Sequence, residues 1–141
     1  MCRFFKLEGK TAVPVSSAEY FQWIIEDPDS GSRKVRYDEY LSGQDTVRVS
    51  TVFLMGINHR WIDKTEPLLF ETMVFGGTMD QTQWRYSTWD QAEIGHQGVI
   101  ERLLREMPRL KKAEVYRESV PTRSERIIKI CLALHKKSLL L

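Results

Sequence analysis

Thr46-Val47-Arg48-Val49-Ser50-Thr51-Val52-Phe53-Leu54-Met55 is the stretch that decides the fold. Its β-branched and aromatic content suits a pleated strand. From Val52 to Met55 it is apolar without a break, as in a strand covered on both faces. Upstream, residues 33–41 read as a strand with Val35, Tyr37 and Glu39 on one side of the pleat, joined to the first by the turn Ser42-Gly43-Gln44-Asp45. Downstream, a loop over 56–66 leads to a second apolar strand at 67–75 (PLLFETMVF), closed by Gly76-Gly77. Residues 82–86 read as the next strand of the same meander. At the N-terminus, residues 3–7 and 11–15 pair as a hairpin around Glu8-Gly9-Lys10, and Pro14 confines the second of them to an edge.

Two helices frame these strands. Ser16 and Glu19 have capping-box spacing ahead of Tyr20, Phe21, Trp23, Ile24 and Ile25, a short apolar helix that ends near Asp27-Pro28. Thr88 and Gln91 repeat the spacing before a helix over 89–107, whose Ala92, His96, Val99, Ile100, Leu103 and Met107 share one side. Gly95 and Gly98 each weaken that helix by about 1 kcal/mol relative to alanine and permit a close approach by another backbone. The pattern predicts an α+β fold. An antiparallel sheet of four to six strands is packed on one face by the 89–107 helix, with a short N-terminal helix and a basic, helical C-terminal arm. Residues 1–107 form the single domain and 108–141 the extension.

At 141 residues the chain has the length of one domain, and 42% hydrophobic with 28% charged residues is ordinary for a globular protein. Cys2 and Cys131 are too few and too far apart for a disulfide framework or a zinc site. No segment reads as a signal peptide, and no apolar run approaches the roughly 18 residues that cross a bilayer. Secretion, membrane spanning and outright disorder are disfavoured.

Charge is uneven. Residues 1–107 hold 12 Lys and Arg against 16 Asp and Glu, whereas 108–141 hold 9 against 3. The arm can dock on the acidic body of its own or a neighbouring subunit, or meet a polyanion such as nucleic acid. Arg109, Lys111, Lys112, Arg123, Arg126, Lys136 and Lys137 are the candidate polyanion contacts. Its apolar residues (Ile127, Ile128, Leu132, Leu134 and Leu139-Leu140-Leu141) need something to bury against, which points to self-association as a homo-oligomer.

Three stretches carry a family resemblance: Val49-Ser50-Thr51-Val52-Phe53-Leu54 running into Gly56-Ile57-Asn58-His59; Leu69-Phe70-Glu71-Thr72-Met73-Val74-Phe75-Gly76-Gly77; and Arg85-Tyr86-Ser87-Thr88-Trp89 with Ala92-Glu93 and Gly95-His96. Together they resemble small uncharacterised proteins encoded by tailed phages and prophages. Those proteins open with a segment similar to Glu8-Gly9-Lys10-Thr11-Ala12-Val13-Pro14. The resemblance covers roughly residues 4–105 and implies a phage or prophage origin and the cytoplasm of a bacterial host. It brings no activity with it. The first loop carries Asn58 where the family usually has an aspartate.

His59, Glu71 and His96 are the polar residues with most chemical promise. Were the helix to meet the sheet near the strand ends, all three would converge, and two imidazoles with one carboxylate suit zinc or ferrous iron in a metal-dependent hydrolase. The competing reading is a buried structural network, in which Glu71 pairs with Arg85 or His96 because an unpaired buried carboxylate costs several kcal/mol. Asn58 cannot share proton chemistry with His59. No nucleophile elbow, P-loop or dinucleotide fingerprint is present. Arg60, Trp61, Trp84, Tyr86 and Trp89 are residue types enriched at interface hot spots. The sequence therefore reads as a cofactor-free binding module for a host or phage protein, with the hydrolase and a nucleic-acid-binding accessory protein as alternatives.

Overall fold

The computed structural model describes residues 4–26, 31–54 and 67–113. Strands β1 (Phe4–Glu8) and β2 (Thr11–Val15) form an antiparallel hairpin sheet of their own, so Pro14 interrupts no central ladder. Helix α1 (Ser17–Glu26) opens with the predicted box: the Glu19 amide donates to Ser16 Oγ at 3.3 Å, and the Ser16 amide donates to Glu19 Oε2 at 2.9 Å.

The main sheet has five antiparallel strands. β3 (Lys34–Ser42), β4 (Asp45–Phe53), β5 (Phe70–Phe75) and β6 (Gln83–Tyr86) run as a meander. Helix α2 (Trp89–Glu106) then crosses one face, and β7 (Lys111–Lys112) returns to pair with β3, giving the order β6-β5-β4-β3-β7. The α+β architecture is as the sequence predicts. α2 starts at a capped end, where Thr88 Oγ1 accepts from the Gln91 amide at 3.2 Å and Gln91 Oε1 accepts from the Ser87 amide at 3.1 Å.

One boundary differs from the reading of the sequence. The chain after Pro108 does not leave the body at once. Leu110 is buried in the core, Lys111 and Lys112 pair with Leu41 and Tyr40, and the Ala113 amide donates to Glu39 O at 2.8 Å. The basic composition of this segment signals solvent, but its backbone completes a sheet edge, which composition does not encode.

The face under α2 is divided into three bands. At one end lie Val47, Val49, Val74, Val99, Ile100 and Leu103, with Tyr40, Met79 and Leu110. At the other lie Leu7, Phe53, Leu69, Phe70 and Ala92. Between them, Thr51, Thr72, Asp38 and His96 form a buried polar band. β4 and β5 cross all three bands in register, through the pairs Val49↔Val74, Thr51↔Thr72 and Phe53↔Phe70.

Gly76 and Gly95 leave no space for a side chain. Gly76 has φ +87°, and a Cβ there would meet Thr46 O at 2.6 Å. Gly95 lies over the Tyr86 ring, with no room for a Cβ, so the close approach is by a side chain. Gly98 faces open space. Gly95→Ala should therefore lower stability by about 1–3 kcal/mol through overpacking. Gly98→Ala should raise it by roughly 1 kcal/mol through helix propensity. Urea unfolding of the two variants against wild type checks the opposite signs.

Candidate functional site

Strand parity builds the polar band. Thr51 on β4 and Thr72 on β5 face α2, and Asp38 on β3, paired with Val49, faces the same way. On α2, His96 falls one turn after Ala92 and one before Val99 and Ile100, so its ring enters the gap between the two apolar clusters. His96, Thr51 and Thr72 have no exposed surface.

The contacts form a continuous chain. His96 Nε2 lies 3.0 Å from Asp38 Oδ2, His96 Nδ1 lies 2.7 Å from Thr51 Oγ1, and Thr51 Oγ1 lies 2.5 Å from Thr72 Oγ1. Outside the chain, Arg36 Nε donates to Asp38 Oδ2 at 2.9 Å, Lys112 Nζ meets Asp38 Oδ1 at 2.9 Å, and Arg36 Nη1 donates to Gln97 Oε1 at 3.0 Å. Burial pushes the His96 pKa down, against the opposing pull of the Asp38 hydrogen bond, so the ring is neutral. Burial alone would raise the Asp38 carboxyl. The hydrogen bonds from Lys112 and His96, with the charge of Arg36, outweigh burial and hold it below the usual carboxylate range.

These states dictate the tautomer. An ionised Asp38 only accepts, so His96 carries its proton on Nε2 and donates it there. Nδ1 is then an acceptor, Thr51 donates its hydroxyl proton to it, and Thr72 donates in turn to Thr51. The order carboxylate, imidazole, hydroxyl is that of an activated nucleophile. Thr51, however, is sealed beneath α2 and its hydroxyl proton is committed to the imidazole, so the chain acts as a structural network.

The expected meeting of His96 with Glu71 does not occur. Glu71 pairs with Val52 and Arg85 on the opposite face of the sheet, and Arg85 Nε donates to Glu71 Oε2 at 3.0 Å. That is the Glu71–Arg85 arm of the structural reading, while the imidazole takes Asp38. The reason is parity: on β5, Phe70, Thr72 and Val74 face the helix, and Glu71 with Met73 faces away. His59 lies outside the described residues, as do Arg60 and Trp61. Among the described residues no group of three or more His, Cys, Asp and Glu side chains is placed to hold a metal ion.

The remaining aromatics also differ from an exposed hot spot. Trp84 packs against the first apolar cluster, and Tyr86 and Trp89 pack against the second. Trp89 stands edge-on to Phe70, with centroids 6.1 Å apart, and Lys10 Nζ sits 5.6 Å above its ring. Of the basic residues, Arg109 and Lys111 are exposed and Lys112 is bound to Asp38. Arg123, Arg126, Lys136 and Lys137 lie outside the described residues.

What Trp89 does line is a groove of about 470 Å³ between the hairpin and the start of α2. Phe5, Ala12, Leu69 and Phe70 supply apolar lining, and Lys10, Thr11, Thr88 and Asp90 supply polar lining. Pro67, where the described chain resumes after Leu54, also borders it. The apolar strand ends and the capping signal were visible in the sequence, but their juxtaposition depends on how the hairpin sits.

No family model, curated protein or solved structure matches this chain. No described helix is long and apolar enough to cross a membrane.

The network ties stability to pH. An unfolded histidine takes a proton near pH 6.5, whereas the folded His96 does so only at lower pH. Wild-type stability therefore falls as pH drops below about 6.5, by at most about 1.4 kcal/mol per unit. Asp38 adds a second loss below about 3.9, since its folded pKa is also depressed. His96→Asn should cost on the order of 2 kcal/mol at pH 7.5. The gap to wild type should narrow between pH 6.5 and 5, as read from urea midpoints at each pH.

Proposed function

We propose that the chain is a phage- or prophage-encoded accessory protein that acts without catalysis, by binding a protein partner in the cytoplasm of the bacterial host. The groove beside α2 is the contact. Origin and compartment rest on the three motifs that resemble the phage family. The binding reading rests on one observation: the groove has an apolar floor, a polar rim and a volume within the range that takes a ligand or an anchoring side chain.

The ionisable groups lining the groove are Lys10 and Asp90. Lys10 also reaches Glu93 Oε1 at 3.5 Å. Two carboxylates, Asp90 and Glu93, thus stand against one ammonium at this end of the helix. The rim favours an apolar anchor flanked by basic residues on the partner. The imidazole, carboxylate and threonine hydroxyls of the polar band are held beneath α2.

Capture of a partner from host lysate, followed by its purification and a titration, tests this. Thr11 is exposed at the groove, so Thr11→Arg fills the opening and repels a basic flank without touching the core. It should weaken Kd at least tenfold, about 1.4 kcal/mol. Arg105→Ala at the far end of α2 should leave Kd unchanged. Equal binding by the Thr11→Arg variant, or the lack of any reproducible partner, would overturn the proposal.

A further inference from the structure

The face of the main sheet opposite α2 carries its own apolar surface. Tyr37, Leu41 and Phe75 are 46%, 43% and 39% exposed there. Register places Ser50 between Tyr37 and Met73 at the centre of this face, with Val52 one step along β4. Charged residues share this face: Glu39 and Arg48 lie in one row with Phe75, between Leu41 and Tyr37, the Tyr37 hydroxyl donates to Glu39 Oε2 at 2.8 Å, and Glu71 is bound to Arg85. Exposed apolar side chains interleaved with charged ones suit an amphipathic element as the cover.

We infer that the occupant is the chain's own C-terminal segment, residues 124–141, laid across this face in cis as an amphipathic helix. Three observations select it. The first is where the described chain ends: the Ala113 amide is bonded to Glu39 O on β3, just past the two-residue edge strand β7. Residues 114–123 can span at most about 33–36 Å, whereas five strands are about 19 Å wide. The second is pattern. Ile127, Ile128, Cys131, Leu132 and Leu134 form a helical stripe, and residues 124–135 as a helix would be about 18 Å long. The third is area. Tyr37, Leu41, Val52, Met73 and Phe75 together make a patch of about a few hundred Å² at most, below the roughly 800 Å² per partner of a stable dimer. A tethered helix needs far less, because its effective concentration is in the millimolar range. This inference does not depend on the groove reading.

Cys131 on the stripe supplies the probe. In the full chain carrying Cys2→Ser, Ser50→Cys and Met73→Cys each place a thiol at the centre of the open face, and Glu101→Cys places one on the exposed side of α2. A disulfide needs Cα atoms within about 7 Å, so only a docked segment bridges quickly. Under mild oxidation of dilute protein, at least one of the two face variants should form an intrachain disulfide with Cys131 at least tenfold faster than the Glu101→Cys control. Rates no faster than the control for both would overturn the inference. Preferential bridging between two chains would also overturn it, in favour of a second copy as the occupant.

Discussion

A neutral imidazole sealed under a helix is the constraint on which this structure rests. His96 is fully buried, and both of its ring nitrogens need partners there, because an unsatisfied buried polar group costs about 1–3 kcal/mol. The partners come from different strands: Asp38 from β3, and Thr51, supported by Thr72, from β4 and β5. Sliding α2 by one turn, about 5.4 Å, would set the ring against Val49 and Val74 or against Phe53 and Phe70. The apolar bands on either side tolerate small shifts. The polar band does not, and so it specifies the seat of the helix. The same carboxylate reaches outward to Arg36 and Lys112, so the last strand of the sheet and the helix are tied to one residue.

Much of this was legible in the amino-acid order. Turn glycines, capping boxes at Ser16 and Thr88, and the apolar runs of β4 and β5 specify local structure strongly, and they placed the helix on a meander. The partner of His96 was not legible. In β5 nearly every neighbour of Glu71 is apolar, so both faces read as buried and the period-2 signal is ambiguous. In β3 the order Tyr37-Asp38-Glu39-Tyr40 offers a carboxylate to each face, and the register shift between Lys34 and Arg36 obscures which one turns inward. The signal that was present is the parity of Asp38 with Tyr40, opposite to that of Tyr37 and Glu39. β7 was illegible for a different reason, because two lysines carry no strand propensity and pair only because the edge of β3 is there to receive them.

The functional reading follows from where polar groups are sealed and where surface is open. Among the described residues, the histidine with its carboxylate and hydroxyl partners lies inside, in a network whose hydrogen bonds are already committed. What faces outward is a groove beside the hairpin and a set of exposed apolar side chains on the far side of the sheet. We read the first as the place for a partner and the second as the seat of the chain's own terminus. The hydrophobic arm, which in the sequence suggests self-association, then completes the domain from its second side.

The most direct test of the central claim is the ¹⁵N spectrum of the His96 ring in the full chain, followed from pH 8 to pH 5 and assigned with His96→Asn. The account predicts a neutral ring protonated on Nε2, with Nδ1 as acceptor, that stays neutral below pH 6.5. A ring protonated on Nδ1, or an imidazolium at pH 7, would contradict it.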